Sequence, residues 1–304
     1  MNPLQLHALP GNELVAERLA QALVQQGLDA RSAAVQVHRF PDGESLVRLD
    51  ASLLPPTPDA VLVCALDQPD TRTLPLLMAA ATLRELGARR IGLLAPYLGY
   101  MRQDARFQPG EAISAPIYAR LLSAHFDWLL TVDPHLHRIA TLEQIYTLRA
   151  RALSAAPLLA DWIARNVEAP LVIGPDAESA QWAGAVAARA GAPLLVLQKT
   201  RLGDRTVRIV PPDRAVCRGR TPVLVDDVIS TGRTLIAALE LLRGADCAPP
   251  VCVAVHGLCV GDALPALRTA GAARVVCTTS VAHTATPMDI TGLLAEGVTA
   301  MLAS

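Results

Sequence analysis

The sequence predicts an α/β protein of two similar domains, each a mainly parallel β-sheet flanked by helices. Short apolar runs alternate with amphipathic stretches along the chain, which is the pattern of repeated βα units. Of the 304 residues, 52% are hydrophobic and 18% are charged, so the chain has ample material for buried cores. Only 3% are aromatic, so most of this apolar material is Ala, Leu and Val, which suits layered α/β packing.

The alternation predicts specific elements in chain order. Residues 4–9 form an apolar run typical of a strand, and residues 13–26 predict a helix with Asn12 as its cap and Gly27 as its stop. Further strands are expected at residues 60–64, 91–95, 128–132, 170–174, 194–198, 222–226, 251–257 and 273–277. Helices are expected near residues 73–86, 113–124, 154–165, 177–190, 233–243 and 262–270. This order favours parallel sheets that bind ligands at the carboxyl ends of their strands.

The two halves of the sequence also resemble each other. An AVLV run at residues 60–63 precedes DTRTL at 70–74, and a PVLV run at 222–225 precedes STGRTL at 230–235. A one-residue gap aligns them, which indicates a duplicated domain, with chance similarity as the alternative. The predicted division is an N-terminal domain at 1–146, a C-terminal domain at 147–285, and a final helix at 286–304 that packs back on the first domain.

Composition excludes several classes of protein. The net charge of −1 argues against a general nucleic-acid binder. The six cysteines include no CxxC pair, and several lie in apolar runs, which favours small buried side chains over metal ligands or disulfides. The N-terminus lacks a secretion signal, and no apolar segment approaches the roughly 18 residues that span a bilayer. We therefore expect a soluble cytoplasmic protein that does not bind membranes.

The segment VDDVISTGRTL at residues 225–235 predicts a sugar-phosphate site. A buried strand delivers Asp226 and Asp227 to the sheet edge, where carboxylates accept hydrogen bonds from vicinal hydroxyls or bind a cation. The hydroxyl-rich turn at 230–234 opens a helix, and the free N–H groups and dipole of a helix start favour a phosphate. The alternative is a capped helix that merely has acidic residues near its start. No Walker GxxxxGK[ST] motif occurs.

This string resembles the phosphoribosyl diphosphate loop shared by type I phosphoribosyltransferases and ribose-phosphate pyrophosphokinases. The resemblance implies two duplicated type I phosphoribosyltransferase-like domains. It also implies that ribose 5-phosphate is bound by Asp226, Asp227, Ser230, Thr231, Gly232, Arg233 and Thr234. The first half has Cys64-Ala65 in place of the two aspartates and is expected not to bind the sugar. Arg233 departs from the small residue that is usual in this loop and is its weakest member.

Two segments of the N-terminal half resemble the nucleotide-binding segments of the pyrophosphokinases. They are HRFPDGE at residues 38–44 and PYLGYMRQD at 96–104, the latter continuing to GEAISA at 110–115. The family implies that these segments bind ATP through Phe40, Asp42, Glu44, Arg102, Gln103, Asp104 and Arg106. It also implies that the first segment reaches a neighbouring subunit, so the protein would be at least a dimer. The alternatives are an ordinary Pro-Asp-Gly turn and a solvated basic face.

Metal-binding and catalytic residues follow from the same resemblance. His135 in TVDPHLH and Asp176 in IGPD match the family's Mg²⁺ site, and both strings look closer to archaeal-type members. A His-x-His pattern alone also suggests zinc, but Mg²⁺ prefers oxygen ligands, so His135 would act through water. Lys199 and Arg201 match the flexible catalytic loop, where they would stabilise the transition state. As an isolated pair they would be a solvated strand end.

The function implied is transfer of the β,γ-diphosphate of Mg-ATP to the 1-hydroxyl of ribose 5-phosphate, giving phosphoribosyl diphosphate and AMP. Two other functions remain open from the residues themselves. One is a phosphoribosyltransferase, which needs no ATP, and the other is a non-catalytic regulatory homologue that binds nucleotides. A different pentose phosphate also remains possible as the acceptor. No residue is assigned as a general base.

Overall fold

The computed structural model describes residues 3–57, 59–176, 179–197, 199–201, 207–209, 214–282 and 285–303. The strands in this part of the chain are β1 Leu4–Ala8, β2 Ala30–Ala34, β3 Gln36–Arg39, β4 Ser45–Arg48, β5 Asp59–Val63, β6 Arg90–Ala95, β7 Trp128–Val132, β8 Arg149–Leu153, β9 Pro170–Gly174, β10 Leu194–Val196, β11 Lys199–Arg201, β12 Val207–Ile209, β13 Thr221–Ile229, β14 Val251–Gly257, β15 Arg274–Thr278 and β16 Thr286–Met288. The helices are α1 Glu13–Gln25, α2 Pro69–Glu85, α3 Ser114–Ser123, α4 Ala156–Asn166, α5 Ala180–Ala190, α6 Arg214–Cys217, α7 Arg233–Leu242, α8 Ala263–Thr269 and α9 Thr291–Leu302.

The chain divides into two compact units. The first contains residues 1–153 and 290–304, and the second contains residues 154–289. Strand β8 thus belongs to the first unit, beyond the boundary at residue 146 that the sequence suggested, because it pairs with β7 along its whole length. Among the described residues, no helix is both long and apolar enough to cross a bilayer.

The first unit is built around a six-stranded sheet in the order β2-β1-β5-β6-β7-β8, and every neighbouring pair in it is parallel. The inner strands are almost entirely apolar because both of their faces are covered. A separate antiparallel hairpin, β3–β4, lies between β2 and β5 in the chain. Two strands of this sheet, β2 and β8, were not predicted from the sequence. They form the two edges of the sheet, where fewer side chains are buried.

The second unit repeats this architecture. Its sheet has the order β10-β9-β13-β14-β15-β16, again all parallel, with the antiparallel hairpin β11–β12 between the second and third strands in the chain. The same strand order and the same inserted hairpin appear in both units. The predicted fold class, two similar α/β domains with mainly parallel sheets flanked by helices, is therefore confirmed.

The end of α1 follows from its local sequence, whereas the residue before its start makes tertiary contacts. Gly27 ends the helix as predicted, with a left-handed φ of 87° that a residue with a side chain adopts at a cost. Asn12 precedes the helix, but its side chain caps no helical N–H group. Its Nδ2 donates to the carbonyl oxygens of Leu9 and Pro10, and its Oδ1 accepts from the Ala65 N–H at 2.7 Å. Asn12 therefore joins β1 to the end of β5.

Helix α9 packs against α1 and β7 in the first unit. Its last carbonyl groups are satisfied by arginines of the sheet: Arg149 donates to Met301 O at 3.1 Å, and Arg90 donates to Leu302 O at 3.4 Å. Gly297 makes this close packing possible. A Cβ at this position would lie 2.7 Å from Leu153 Cδ1 and 2.8 Å from a Cδ of Leu130.

We expect Gly297→Ala to destabilise the protein, because overpacking of this kind costs about 1–3 kcal/mol. The matched control is Gly292→Ala in the same helix, where a Cβ meets nothing within 4 Å. There the helix propensity of alanine should leave stability unchanged or raise it by up to about 1 kcal/mol. Urea unfolding of both variants measures the difference. Equal stability of the two variants would contradict the proposed docking of α9.

Candidate active site

The geometry of the second sheet creates a crevice between β9 and β13. The chain leaves β9 towards β10 on one side and leaves β13 towards β14 on the other, so the strand order reverses between β9 and β13. Ligands of open α/β sheets bind outside the carboxyl ends of the strands at such a point. Pairing of β13 with β9 ends at Leu224 and Ile173, whereas its pairing with β14 continues to Ile229. Strand β13 therefore extends along one side of the crevice.

Three carboxylates meet at this crevice. Asp226 and Asp227 lie on the part of β13 that extends beyond its pairing with β9, and Asp176 follows the end of β9. Burial, with the neighbouring Asp227 and the negative charge of Asp176, raises the pKa of Asp226 well above the usual value for aspartate. The sequence predicted strand β13 to end at residue 226. It runs on to Ile229, because β14 still offers hydrogen-bonding partners there.

Asp176 is fixed by a reciprocal set of hydrogen bonds at the start of α5. Its Oδ1 accepts from the Ser179 N–H at 3.1 Å, and its carbonyl oxygen accepts from Ser179 Oγ at 2.7 Å. Gly174 leaves room for this arrangement, since a Cβ there would lie 2.9 Å from Ser179 Oγ. Asp176 Oδ1 is thus oriented by the backbone before any ligand arrives.

The turn at residues 230–232 is held by the chain that follows β14. The Val260 N–H donates to Ser230 O at 3.0 Å, and the Cys259 N–H donates to Ile229 O at 2.9 Å. Gly232 precedes α7 with a φ of 72°, and a Cβ there would lie 3.3 Å from Leu267. The left-handed backbone favours glycine, and the contact with Leu267 leaves little room for a side chain.

The side chains around this turn differ in exposure. Thr231 and Arg233 are exposed, and Ser230 and Thr234 are half-buried. The N–H groups of the first turn of α7 have no helical acceptors, so together with these hydroxyls they suit an anion. Arg233 adds a positive charge at the same helix start.

The first unit has a matching reversal of strand order between β1 and β5, but its crevice is filled by the protein itself. Asn12 bridges the two strand ends, as described above. Arg72 donates to Pro10 O at 2.9 Å and forms an ion pair with Asp67 at 3.2 Å. Cys64, at the position of Asp226 in the second half, is buried, and burial raises the pKa of its thiol to about 12. This crevice therefore lacks the paired aspartates of its counterpart, and Asn12 and Arg72 connect the chain after β1 to the chain after β5.

The predicted nucleotide residues of the first segment lie at the tip of the hairpin β3–β4. The Phe40 N–H donates to Glu44 O at 2.8 Å, and the Gly43 N–H donates to Phe40 O at 2.9 Å. Asp42 Oδ1 accepts from the Glu44 N–H at 3.1 Å. Phe40 is 39% exposed and meets the edge of His38 at 4.7 Å. The hairpin thus presents an exposed aromatic ring beside two exposed carboxylates.

The second segment forms a compact loop after β6. Arg106 Nε donates to Glu111 O at 2.7 Å, and the Glu111 carboxylate accepts from the N–H groups of Phe107 and Gln108. Gln103 is half-buried and its carbonyl accepts from the Ala115 N–H at 3.2 Å. Arg102 and Arg106 are exposed and carry two positive charges along this loop.

Asp104 differs from the other predicted nucleotide residues because its carboxylate is only 2% exposed. It accepts a hydrogen bond from Arg138 Nη1 at 3.0 Å. The guanidinium of Arg138 also lies 5.5 Å from the centre of the Phe107 ring. Sequence reasoning missed both Arg138 and Phe107. One signal was present, because two of the three phenylalanines of the chain, Phe40 and Phe107, are in the nucleotide segments.

The predicted metal residue His135 lies in a strained loop after β7. Asp133 and His135 have left-handed φ values of 34° and 52°, which are costly for residues other than glycine and often mark functional sites. The His135 and His137 rings contact each other edge to face, with centres 4.0 Å apart. The loop therefore fixes His135 at the carboxyl end of a central strand.

The predicted catalytic pair lies in the hairpin of the second unit. The backbones of Lys199 and Arg201 form strand β11, which pairs with β12. Their side chains, and the predicted turn at 203–205, lie outside the described residues. In the order of elements, this hairpin corresponds to β3–β4 of the first unit, which carries Phe40.

Comparison with known proteins agrees with both halves of the chain. Residues 5–125 match the family model described as the N-terminal domain of ribose phosphate pyrophosphokinase, and residues 141–291 match the phosphoribosyl transferase domain. The ribose-phosphate pyrophosphokinase of Methanopyrus kandleri is 35% identical over 92% of this chain and 95% of its own length. That of Methanothermobacter thermautotrophicus is 32% identical over 92% and 96%.

A solved structure shows the same likeness in three dimensions. The phosphoribosylpyrophosphate synthetase from Mycobacterium smegmatis superposes with a TM-score of 0.84 and 27% identity, and the match covers 99% of both chains. The likeness thus extends over both units and both hairpins.

Proposed function

The chain belongs to the ribose-phosphate pyrophosphokinase family, whose members synthesise phosphoribosyl diphosphate, and on this basis we propose that it uses ATP and ribose 5-phosphate as its substrates. In this reaction the anomeric hydroxyl of the sugar attacks the β-phosphorus of ATP, and AMP leaves. The observation that carries the proposal is the crevice between β9 and β13, where carboxylates and a phosphate-binding helix start lie side by side. The full-length match to proteins named as ribose-phosphate pyrophosphokinases favours this function over a transferase or a non-catalytic homologue.

In the proposed mechanism, the second unit positions the sugar. Asp226 and Asp227 accept hydrogen bonds from the vicinal hydroxyls, while the turn at 230–234 and the start of α7 bind the 5-phosphate. Because this turn is held by the N–H groups of Cys259 and Val260, it is arranged before the substrate binds. Such preorganisation reduces the entropic cost of aligning the reacting hydroxyl.

The first unit is proposed to bind the nucleotide. Phe40 offers a face for stacking on adenine, with Asp42 and Glu44 as acceptors for its amino group. Arg102 and Arg106 provide the positive charge that a triphosphate needs, and Gln103 lies between them. An exposed phenylalanine at a hairpin tip also supports a shared site, so we propose that the protein works as a homo-oligomer of at least two chains.

Lys199 and Arg201 are proposed to neutralise charge that develops on the β-phosphate during transfer. Such charge neutralisation and alignment supply most of the catalysis in phosphoryl transfer. Lys199 has an additional distinction, since it is the only lysine among the 27 Lys and Arg residues of the chain. Lys199 thus places a compact ammonium group at a position where arginine would place a planar guanidinium.

Magnesium fits the oxygen ligands of the second unit. Burial, together with the neighbouring carboxylates of Asp227 and Asp176, raises the pKa of Asp226, and a cation beside these carboxylates would relieve their mutual repulsion. We propose Asp176 as a ligand there, and His135 in the first unit as a residue that contacts a second ion through water. Mg²⁺ held by these residues would offset part of the negative charge of the triphosphate. The six free thiols fit a reducing compartment, and we propose a cytoplasmic location.

One assay tests this function. The protein is incubated with Mg-ATP and ribose 5-phosphate, and AMP and phosphoribosyl diphosphate are quantified by ³¹P NMR and chromatography. We expect the two products in equal amounts. Formation of no AMP with any divalent cation would refute the proposal. Parallel reactions with other pentose phosphates that have a free 1-hydroxyl identify the acceptor.

Removal of the divalent cation should abolish the reaction, because the triphosphate charge would then be uncompensated. We expect excess EDTA to stop AMP formation and added Mg²⁺ to restore it fully. Zn²⁺ is added in a parallel reaction, because the His-x-His pattern alone also suggests a zinc site. Full activity in EDTA, or restoration by Zn²⁺ but not by Mg²⁺, would contradict the assignment of Mg²⁺.

A further inference from the structure

Arg138 connects the two loops of the first unit that the proposed mechanism needs. It lies three residues after His135, in the loop that follows β7. Its Nη1 donates to Asp104 Oδ1 at 3.0 Å, and its backbone N–H approaches Asp104 Oδ2 at 3.4 Å. Among the described residues, Arg138 thus supplies two hydrogen bonds to the Asp104 carboxylate.

The environment of this pair is asymmetric. The Asp104 side chain is only 2% exposed, whereas that of Arg138 is 52% exposed. A carboxylate removed from water needs a charged or hydrogen-bonding partner, because loss of the partner leaves an uncompensated buried charge. An exposed ion pair contributes little, but a pair with one buried member constrains the conformation of the chain that carries it. Asp104 therefore ties the loop after β6 to Arg138.

A second contact places Arg138 over the same loop. Its guanidinium carbon lies 5.5 Å from the centre of the Phe107 ring, within the range of a cation–π interaction. Phe107 is 58% exposed, so it has little other packing to fix it. Glu111 holds the loop from its other end through the N–H groups of Phe107 and Gln108. Arg138 and Glu111 thus hold residues on both sides of Arg106, at Asp104 and at Phe107.

We propose that Arg138 is a positioning residue for ATP: it holds the loop at residues 102–111 in the conformation that presents Arg102 and Arg106 to the triphosphate. This inference rests on the proposed function, because it takes that loop as part of the nucleotide site. It gives Asp104 a role different from direct contact with ATP, since its carboxylate is turned to Arg138. It also couples the loop to the segment of His135.

The test replaces Arg138 with alanine and with lysine. Loss of a charge-assisted hydrogen bond and of the ring contact should raise the KM for ATP about tenfold or more. The kcat and the KM for ribose 5-phosphate should stay within about threefold of the wild-type values, because neither depends on this loop directly. Arg138→Lys keeps the charge next to Asp104 and should restore part of the affinity. Asp104→Asn should resemble Arg138→Ala, and the double variant should show less than the sum of the two effects.

A structural readout accompanies the kinetics. Trypsin cleaves after Arg102 and Arg106, so a loop that is no longer held should be cut faster at these two sites in Arg138→Ala, as followed by mass spectrometry. Arg84→Ala is the matched control, since Arg84 forms an ion pair with Asp127 at 2.7 Å in the same unit, but both side chains of that pair are exposed. It should leave both the KM for ATP and cleavage after Arg102 and Arg106 unchanged.

The outcomes separate this inference from the proposed function. If the wild type makes phosphoribosyl diphosphate but Arg138→Ala keeps its KM for ATP and its resistance to trypsin, the positioning role is refuted. An equal change in the KM for ATP and in trypsin cleavage in Arg84→Ala would refute it as well, because the effect would then not be specific to Arg138. If the wild type forms no product, the proposed function fails, while calorimetric ATP affinities of the same variants still decide the role of Arg138.

Discussion

Replacement of Lys199 by alanine is expected to lower kcat by two to three orders of magnitude, with small changes in both KM values. Loss of one contact that forms mainly in the transition state costs about 3–4 kcal/mol. Since Lys199 is the only lysine, its role can also be examined in the unmodified protein. Reductive methylation reaches no other side-chain amine, and substrates that bind against the ammonium group should slow it.

Two further variants make this prediction sharper. Lys199→Arg keeps the positive charge but replaces the ammonium group with a planar guanidinium, and we expect it to recover only a small part of the lost kcat. The control is Arg220→Ala, which should behave as the wild type. Arg220 is half-buried and lies just before the amino end of β13, at the opposite end of the strand from the crevice. A near-normal kcat for Lys199→Ala would remove Lys199 from the proposed catalytic pair.

Replacement of Asp227 by asparagine should act on the sugar and not on the nucleotide. A hydrogen bond to a charged group contributes about 1.5–3 kcal/mol, so loss of the carboxylate should raise the KM for ribose 5-phosphate by one to two orders of magnitude. The KM for ATP should change little. Steady-state kinetics with each substrate varied in turn measures both values.

The matched control for Asp227 is Asp246→Asn. Asp246 is an exposed acidic residue of the same unit, 3.6 Å from Arg218 in a solvent-exposed ion pair. Removal of its charge should affect neither KM, because exposed pairs are screened by water. An Asp227→Asn enzyme with an unchanged KM for ribose 5-phosphate would show that the sugar hydroxyls are bound elsewhere.

Buried elements of the fold could be predicted from the sequence with good boundaries. Strand β14 was expected at residues 251–257 and occupies Val251–Gly257, and α7 was expected at 233–243 and occupies Arg233–Leu242. Both have strong patterns because burial selects apolar side chains, on both faces of β14 and on one face of α7. The edge strands β2 and β8 were not predicted, since their sequences, ARSAA and RARAL, are partly exposed and lack an apolar run.

The candidate site divides in the same way. The carboxylates at 226–227, the turn proposed to bind the phosphate and the segments proposed to bind the nucleotide are short, continuous stretches, so each could be recognised from the sequence. The Asp104–Arg138 pair joins positions 34 residues apart, and neither residue has a local pattern that indicates its partner. The filling of the first crevice by Asn12 and Arg72 is equally long-range.

The sequence by itself determined the two similar α/β halves, and it located the loop proposed to bind ribose 5-phosphate and the segments proposed to bind the nucleotide. These properties depend on local periodicity and on contiguous residues. Only the tertiary structure decided that β13 continues beyond β9, that the first crevice is occupied by the protein's own side chains, and that Asp104 faces Arg138. Each of these depends on strand order and on contacts between distant segments, which fix a side chain's surroundings only after the chain has folded.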